Sequence, residues 1–125
     1  MSRQLVVRVA HHEEARCAVL TVEGDIDRTS SPLLREAIRG LVQESRPRIV
    51  LDAGGITFCD SNGLRTLLGG MAMTCEAGGW MRLAGVRGPF ERLLRMTDLY
   101  GFFAVDSDVV GALRQASEGS APSPE

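Results

Sequence analysis

Asp60-Ser61-Asn62-Gly63 sets a carboxylate beside a hydroxyl, with a glycine close behind, at the point where an apolar strand gives way to a helical pattern. A serine at such a turn is presented outward, as a nucleophile or as an acceptor. The nucleophile-elbow pattern needs glycine two residues before the serine, and Cys59 stands there instead. The histidines, His11 and His12, lie far off in a predicted hairpin, so no general base is near in sequence. Cys59, next to the turn, is a candidate reactive thiol. A second group, Asp25-Ile26-Asp27 followed by Arg28, Thr29 and Ser30, comes after a predicted strand. A polar loop with helix caps explains these residue types but not their clustering. In an α/β sheet, loops at one end of the strands form the usual binding surface. If both loops share an end, Asp25, Asp27, Asp60 and Ser61 make one acidic face.

The remaining candidates read more plainly. His11-His12-Glu13 is a solvated turn rather than a metal site, and Cys17 and Cys75 read as small core hydrophobes. Neither a phosphate-binding GxxxxGK[ST] loop nor a GxGxxG fingerprint occurs. No cofactor is implied. Fourteen basic residues, all arginine, against 16 acidic ones give a net charge of −2, which argues against a nucleic-acid or membrane footprint. Three widely spaced cysteines make no disulfide framework, and the expected compartment is the reducing cytoplasm. No apolar run is long enough for a membrane span, and the N-terminus lacks the look of a secretory signal.

The elements that must position these residues follow from hydrophobic periodicity. Leu5–Val9 and Cys17–Val22 read as strands joined by a hairpin connection over His11–Ala15. Gly24 is expected to break the second strand, leaving Asp25–Ser31 as a loop. Pro32 suits a first helical position with Ser31 as cap, and Leu33, Leu34, Ala37, Ile38, Leu41 and Val42 stripe a helix over 32–44. Arg46-Pro47 ends that helix before a short strand, Ile49–Leu51, and a loop holding Gly54 and Gly55. Leu64, Leu67, Leu68, Met71 and Cys75 mark a second helix ending near Gly78-Gly79. Met81–Ala84 is a strand, Pro89 opens a helix to Met96, Phe102–Val105 is a last strand, and Asp106 or Ser107 caps a final helix. The order ββαβαβαβα implies a single α/β domain over 4–116, with a mixed, mostly parallel sheet. Residues 117–125, rich in Ser, Gly and Pro, are expected to be a disordered tail.

Gly24-Asp25-Ile26-Asp27, Ile49-Val50-Leu51-Asp52 and Thr57-Phe58-Cys59-Asp60-Ser61-Asn62-Gly63-Leu64 together resemble the STAS domain of anti-sigma factor antagonists. The run Pro89–Leu99 resembles that family's third helix and following turn. The resemblance implies a binding partner rather than an enzyme, switched by phosphorylation of the serine in D-S-x-G, here Ser61. It implies an anti-sigma factor serine kinase of the GHKL type as partner. The unphosphorylated form would bind that kinase and free a sigma factor, and a PP2C-type phosphatase would reset it. Asp27 and Asp60 match positions on the kinase-facing surface, which is extended here to Asp25, Asn62 and Gly63.

Two positions depart from the family pattern. Asn62 stands where Ser or Thr often follows the acceptor, leaving Ser61 as the sole local hydroxyl. Gly69-Gly70 falls mid-helix, where each glycine costs about 0.5–1 kcal/mol relative to alanine unless it serves close packing or a kink. Two other function classes compete with the switch. One is a STAS regulatory or scaffolding subunit of a transporter or stress-signalling complex; an intact Ser61 favours the switch over it. The other is a small enzyme using Cys59 or Ser61, which lacks a nearby general base.

Overall fold

A computed structural model describes residues 3–43 and 47–117. Its elements, in chain order, are β1 (Val6–His12), β2 (Cys17–Ile26), α1 (Ser31–Val42), β3 (Arg48–Cys59), α2 (Ser61–Glu76), β4 (Trp80–Ala84), α3 (Gly88–Met96), a 3-10 turn (Tyr100–Phe102), β5 (Ala104–Asp106) and α4 (Val109–Ser117). The five strands form one sheet in the order β1-β2-β3-β4-β5. The β1–β2 hairpin is antiparallel and every other pairing is parallel. This is the expected α/β class and element order.

Strand alternation divides the interior in two. Leu20, Val22, Ile49, Leu51, Met81 and Leu83 face one side, where Leu34, Ile38 and Leu41 of α1, Leu64 and Leu67 of α2, and Phe90 and Leu94 of α3 cover them. The alternate residues Cys17, Val19, Val50, Trp80 and Ala84 face the other side, covered by Ala112 and Ala116 of α4. The three-residue β5 is pinned to β4 by a two-pronged ion pair: Arg82 Nε donates to Asp106 Oδ2 at 2.6 Å and Nη2 to Oδ1 at 3.1 Å. No helix among the described residues is long and apolar enough to cross a membrane.

Several boundaries differ from the sequence reading. β1 runs on through His11 and His12, and the hairpin turn falls at Glu13–Arg16, where the Arg16 N–H returns to the Glu13 carbonyl. Gly24 does not end β2; at φ +102° it takes up a register shift, and the strand continues to Ile26. β3 likewise runs straight through Gly54 and Gly55 to Cys59, because the prolonged β2 pairs Glu23 with Gly55 and Asp25 with Phe58. Ser30, not Ser31, precedes α1, and Ser31 is a buried helical residue whose Oγ donates to the Asp27 carbonyl at 2.5 Å. Asp108 caps α4, its Oδ1 accepting from the Gly111 N–H at 2.7 Å, in place of Asp106 or Ser107. Phe102 belongs to the 3-10 turn rather than the last strand. Leu33 and Cys75, placed on buried stripes by their spacing, are exposed. Ser117 closes α4, and the rest of the expected tail lies outside the described residues, as does Arg46 in the expected end of α1.

Candidate functional site

The parallel register of β2 and β3 aligns Ile26 with Cys59, so the chain leaves both strands side by side. One exit leads into Asp27 and the turn before α1; the other leads into Asp60 and α2. The Asp60 N–H bonds the Ile26 carbonyl at 3.1 Å and ties the two exits together. Asp27, Asp60 and Ser61 therefore gather at one end of the sheet, the C-terminal ends of parallel strands.

Asp60 caps α2 from an extended conformation, φ −98° and ψ −172°, with Oδ1 accepting from the Gly63 N–H at 3.0 Å. Ser61, the first residue of the helix, is exposed, and its hydroxyl makes no hydrogen bond among the described residues. Asn62 is half-buried beside it. Gly63 is buried, and its place is one of packing rather than of surface contact. A Cβ there would come within 2.6 Å of Cys59 Sγ and 2.9 Å of the Ile26 carbonyl oxygen. Only glycine lets the first turn of α2 lie this close to the strand ends.

Asp27 organises the other exit. Its Oδ1 accepts from the N–H groups of Thr29 at 3.0 Å and Ser30 at 2.9 Å, a side-chain turn that leads the chain into α1. The Ser30 hydroxyl accepts from the Asp27 N–H and has its single proton within reach of the Asp25 carbonyl and Asp27 Oδ1, at 2.8 and 3.1 Å. Thus occupied, Ser30 makes no side-chain cap to α1. The Ser30 bonds come first in holding the Asp27 carboxyl below its ordinary pKa, with the Thr29 N–H adding to them.

Asp25 is committed elsewhere. Its Oδ1 accepts from Thr57 Oγ1 at 2.6 Å and its Oδ2 from the Arg3 N–H at 2.9 Å, bracing the start of the chain and β3 against β2. The expected four-residue acidic face is thus smaller, with Asp27, Asp60 and Ser61 at its centre and Asp25 to one side.

Cys59 is buried, and burial together with the Asp60 carboxylate pushes its thiol up to about 12. A thiol so raised is protonated at neutral pH, which removes the reactive-thiol reading. His12 pairs with Cys17 at the far end of the ten-residue β2. At 3.3 Å per residue the histidines stand roughly 30 Å from Ser61. Two neighbours of the site escaped sequence reasoning: Phe58, 49% exposed just before the turn, and Leu33, 51% exposed in the first turn of α1. Alternation could have flagged Phe58, which sits one position before buried Cys59.

The family model described as "Mlab, STAS domain" matches residues 9–111 of this chain. The chain belongs to the STAS domain family. Among curated relatives, the STAS domain described here is 28% identical over 112 residues to an anti-sigma F factor antagonist of Paenibacillus polymyxa, covering 89% of this chain and 94% of that protein. It is 32% identical over 83 residues to an anti-sigma-B factor antagonist of Bacillus subtilis (strain 168), covering 66% of this chain and 72% of the relative. The crystal structure of an anti-sigma factor antagonist from Mycobacterium paratuberculosis superposes with a TM-score of 0.78 at 27% identity, over 90% of this chain and 94% of that one. Within the STAS family, this chain stands with the anti-sigma factor antagonists.

Proposed function

We propose that this STAS domain is a phosphorylation-switched anti-sigma factor antagonist acting in the cytoplasm. Its unphosphorylated form binds an anti-sigma serine kinase of the GHKL type and thereby frees a sigma factor. The kinase transfers the γ-phosphoryl group of ATP to Ser61 Oγ, the hydroxyl proton is lost and ADP leaves. A PP2C-type phosphatase hydrolyses the phosphoserine and restores the binding form. The chain contributes only the accepting hydroxyl, so it serves as substrate and binding partner rather than as enzyme, with neither nucleic acid nor membrane as a direct ligand.

The observation that carries this reading is an exposed Ser61 hydroxyl, unengaged among the described residues, at the first residue of α2, in a chain whose relatives are named as anti-sigma factor antagonists. Phosphate at a helix start meets unpaired N–H groups and the positive end of the helix dipole, so the fold tolerates it. The added charge, about −1.5 to −2, falls beside Asp60 and acts on whatever surface is bound there.

Incubation with candidate kinases and ATP, followed by mass-spectrometric mapping, tests the assignment. Phosphate is expected on Ser61 and none on a Ser61→Ala protein, which folds normally and keeps its affinity for the kinase. Ser61→Asp is expected to weaken that affinity with little change in melting temperature. Phosphate mapped to another residue overturns the reading.

A further inference from the structure

Arg65 lies four residues after Ser61 on α2, is exposed, and makes no hydrogen bond or ion pair among the described residues. Arg28, exposed in the Asp27 turn, is likewise without a hydrogen bond or ion pair among the described residues, whereas Arg87 Nε donates to the Gly54 carbonyl at 3.0 Å. What sets Arg65 apart is its place one helical turn from Ser61 on the same helix. Residues four apart on a helix are surface neighbours, with Cβ atoms about 5–6 Å apart. A long guanidinium side chain spans that gap readily and offers a planar fork suited to phosphate oxygens. The favourable order, anion first and cation one turn later, is the order found here.

We propose that Arg65 is the intramolecular ligand of a phosphate on Ser61. This rests on the reading of Ser61 as the acceptor, and adds a second consequence of modification. In the unphosphorylated protein, Arg65 is a cation one turn from the acceptor, available to an acidic group on the bound kinase. Once Ser61 carries phosphate, the same guanidinium is drawn back onto its own helix. Phosphorylation then both adds an anion at the surface and withdraws a cation from it, and the two changes act in the same direction on an acidic partner group.

The test uses full-length protein in which phosphoserine is installed at position 61 by an expanded genetic code, so that no kinase is needed. Phosphorus NMR follows the second ionisation of the phosphate in this protein and in its Arg65→Gln and Arg65→Lys forms. Asp60, next in sequence, and Asp27, at the neighbouring strand exit, oppose that ionisation, and Arg28 in the Asp27 turn favours it, equally in all three, so the differences between them report Arg65 alone. The phosphate pKa is expected to lie lower in the parent than in the Arg65→Gln form, by about 0.2–0.4, in keeping with an exposed helical ion pair. The Arg65→Lys form should retain part of the difference, and high salt should shrink it. Identical titrations in all three forms overturn the proposal. Kinase treatment that labels a residue other than Ser61 would instead remove the switch reading, while leaving the titration result intact.

Discussion

Asp27 and Asp60 are both short acidic residues at strand exits, yet their carboxylates do different things. Asp60 commits one oxygen to the Gly63 N–H and so sets where α2 begins, which fixes Ser61 as its first residue. Asp27 shapes its own turn through Thr29 and Ser30, and those bonds lower its pKa. A carboxyl whose folded pKa lies below its unfolded value stabilises the fold above the unfolded pKa, and that contribution is lost as pH falls through the folded one. The window therefore opens near the ordinary carboxylate value of 3.8 and extends to lower pH. An Asp27→Asn protein, followed by urea denaturation over a pH series, should be less stable than the parent at neutral pH. It should also lose less stability on acidification through that window. Parallel acid limbs in the two proteins would show that the Asp27 bonds do not favour the charged form.

At the scale of elements, α2 carries adjacent glycines with opposite roles. A Cβ at Gly70 would come within 2.7 Å of Ile38 Cδ1 and 3.3 Å of Cγ2, so Gly70 allows α1 and α2 to approach closely. Among the described residues, nothing lies within 4 Å of a Cβ at Gly69. Gly69→Ala should therefore raise stability by about 0.5–1 kcal/mol, the helix-propensity gain. Gly70→Ala should forfeit that gain against the buried Ile38, and denaturant midpoints for the pair decide the matter. Equal midpoints would mean that the α1–α2 seam yields freely. The same glycines show what sequence can reveal. Periodicity locates α2 and shows two glycines within it, but which one packs depends on a helix distant in sequence. Gly24, Gly54 and Gly55 read as breakers for a similar reason: a prolonged β2–β3 pairing keeps them in strands, and local propensity carries no record of that partner. The site is legible in sequence where its chemistry is local, in the Asp60 cap and the Ser61 hydroxyl. It is not legible where a long-range bond decides, as in the Thr57 hydroxyl that engages Asp25.

Across the whole molecule, the sheet separates the Ser61 end from the smaller of the two apolar layers. The helices α1 to α3 cover one face, and the exposed start of α2 belongs to that layer. The opposite face rests on α4, whose Ala112 and Ala116 are buried against Val50, Trp80 and Ala84. Small residues at these two positions let the helix lie close to the strands, and Ala112 has no exposed surface into which a larger side chain could expand. Ala112→Leu should consequently cost about 1–3 kcal/mol by overpacking. Ser61 lies in the other layer, so at temperatures where the variant remains folded its phosphorylation rate and kinase affinity should match the parent. Denaturant unfolding measures the first effect, and kinase assays on the folded variant measure the second. A folded Ala112→Leu protein that had lost phosphorylation at Ser61 would show that α4 and the start of α2 are coupled through the sheet, contrary to the separation its packing implies.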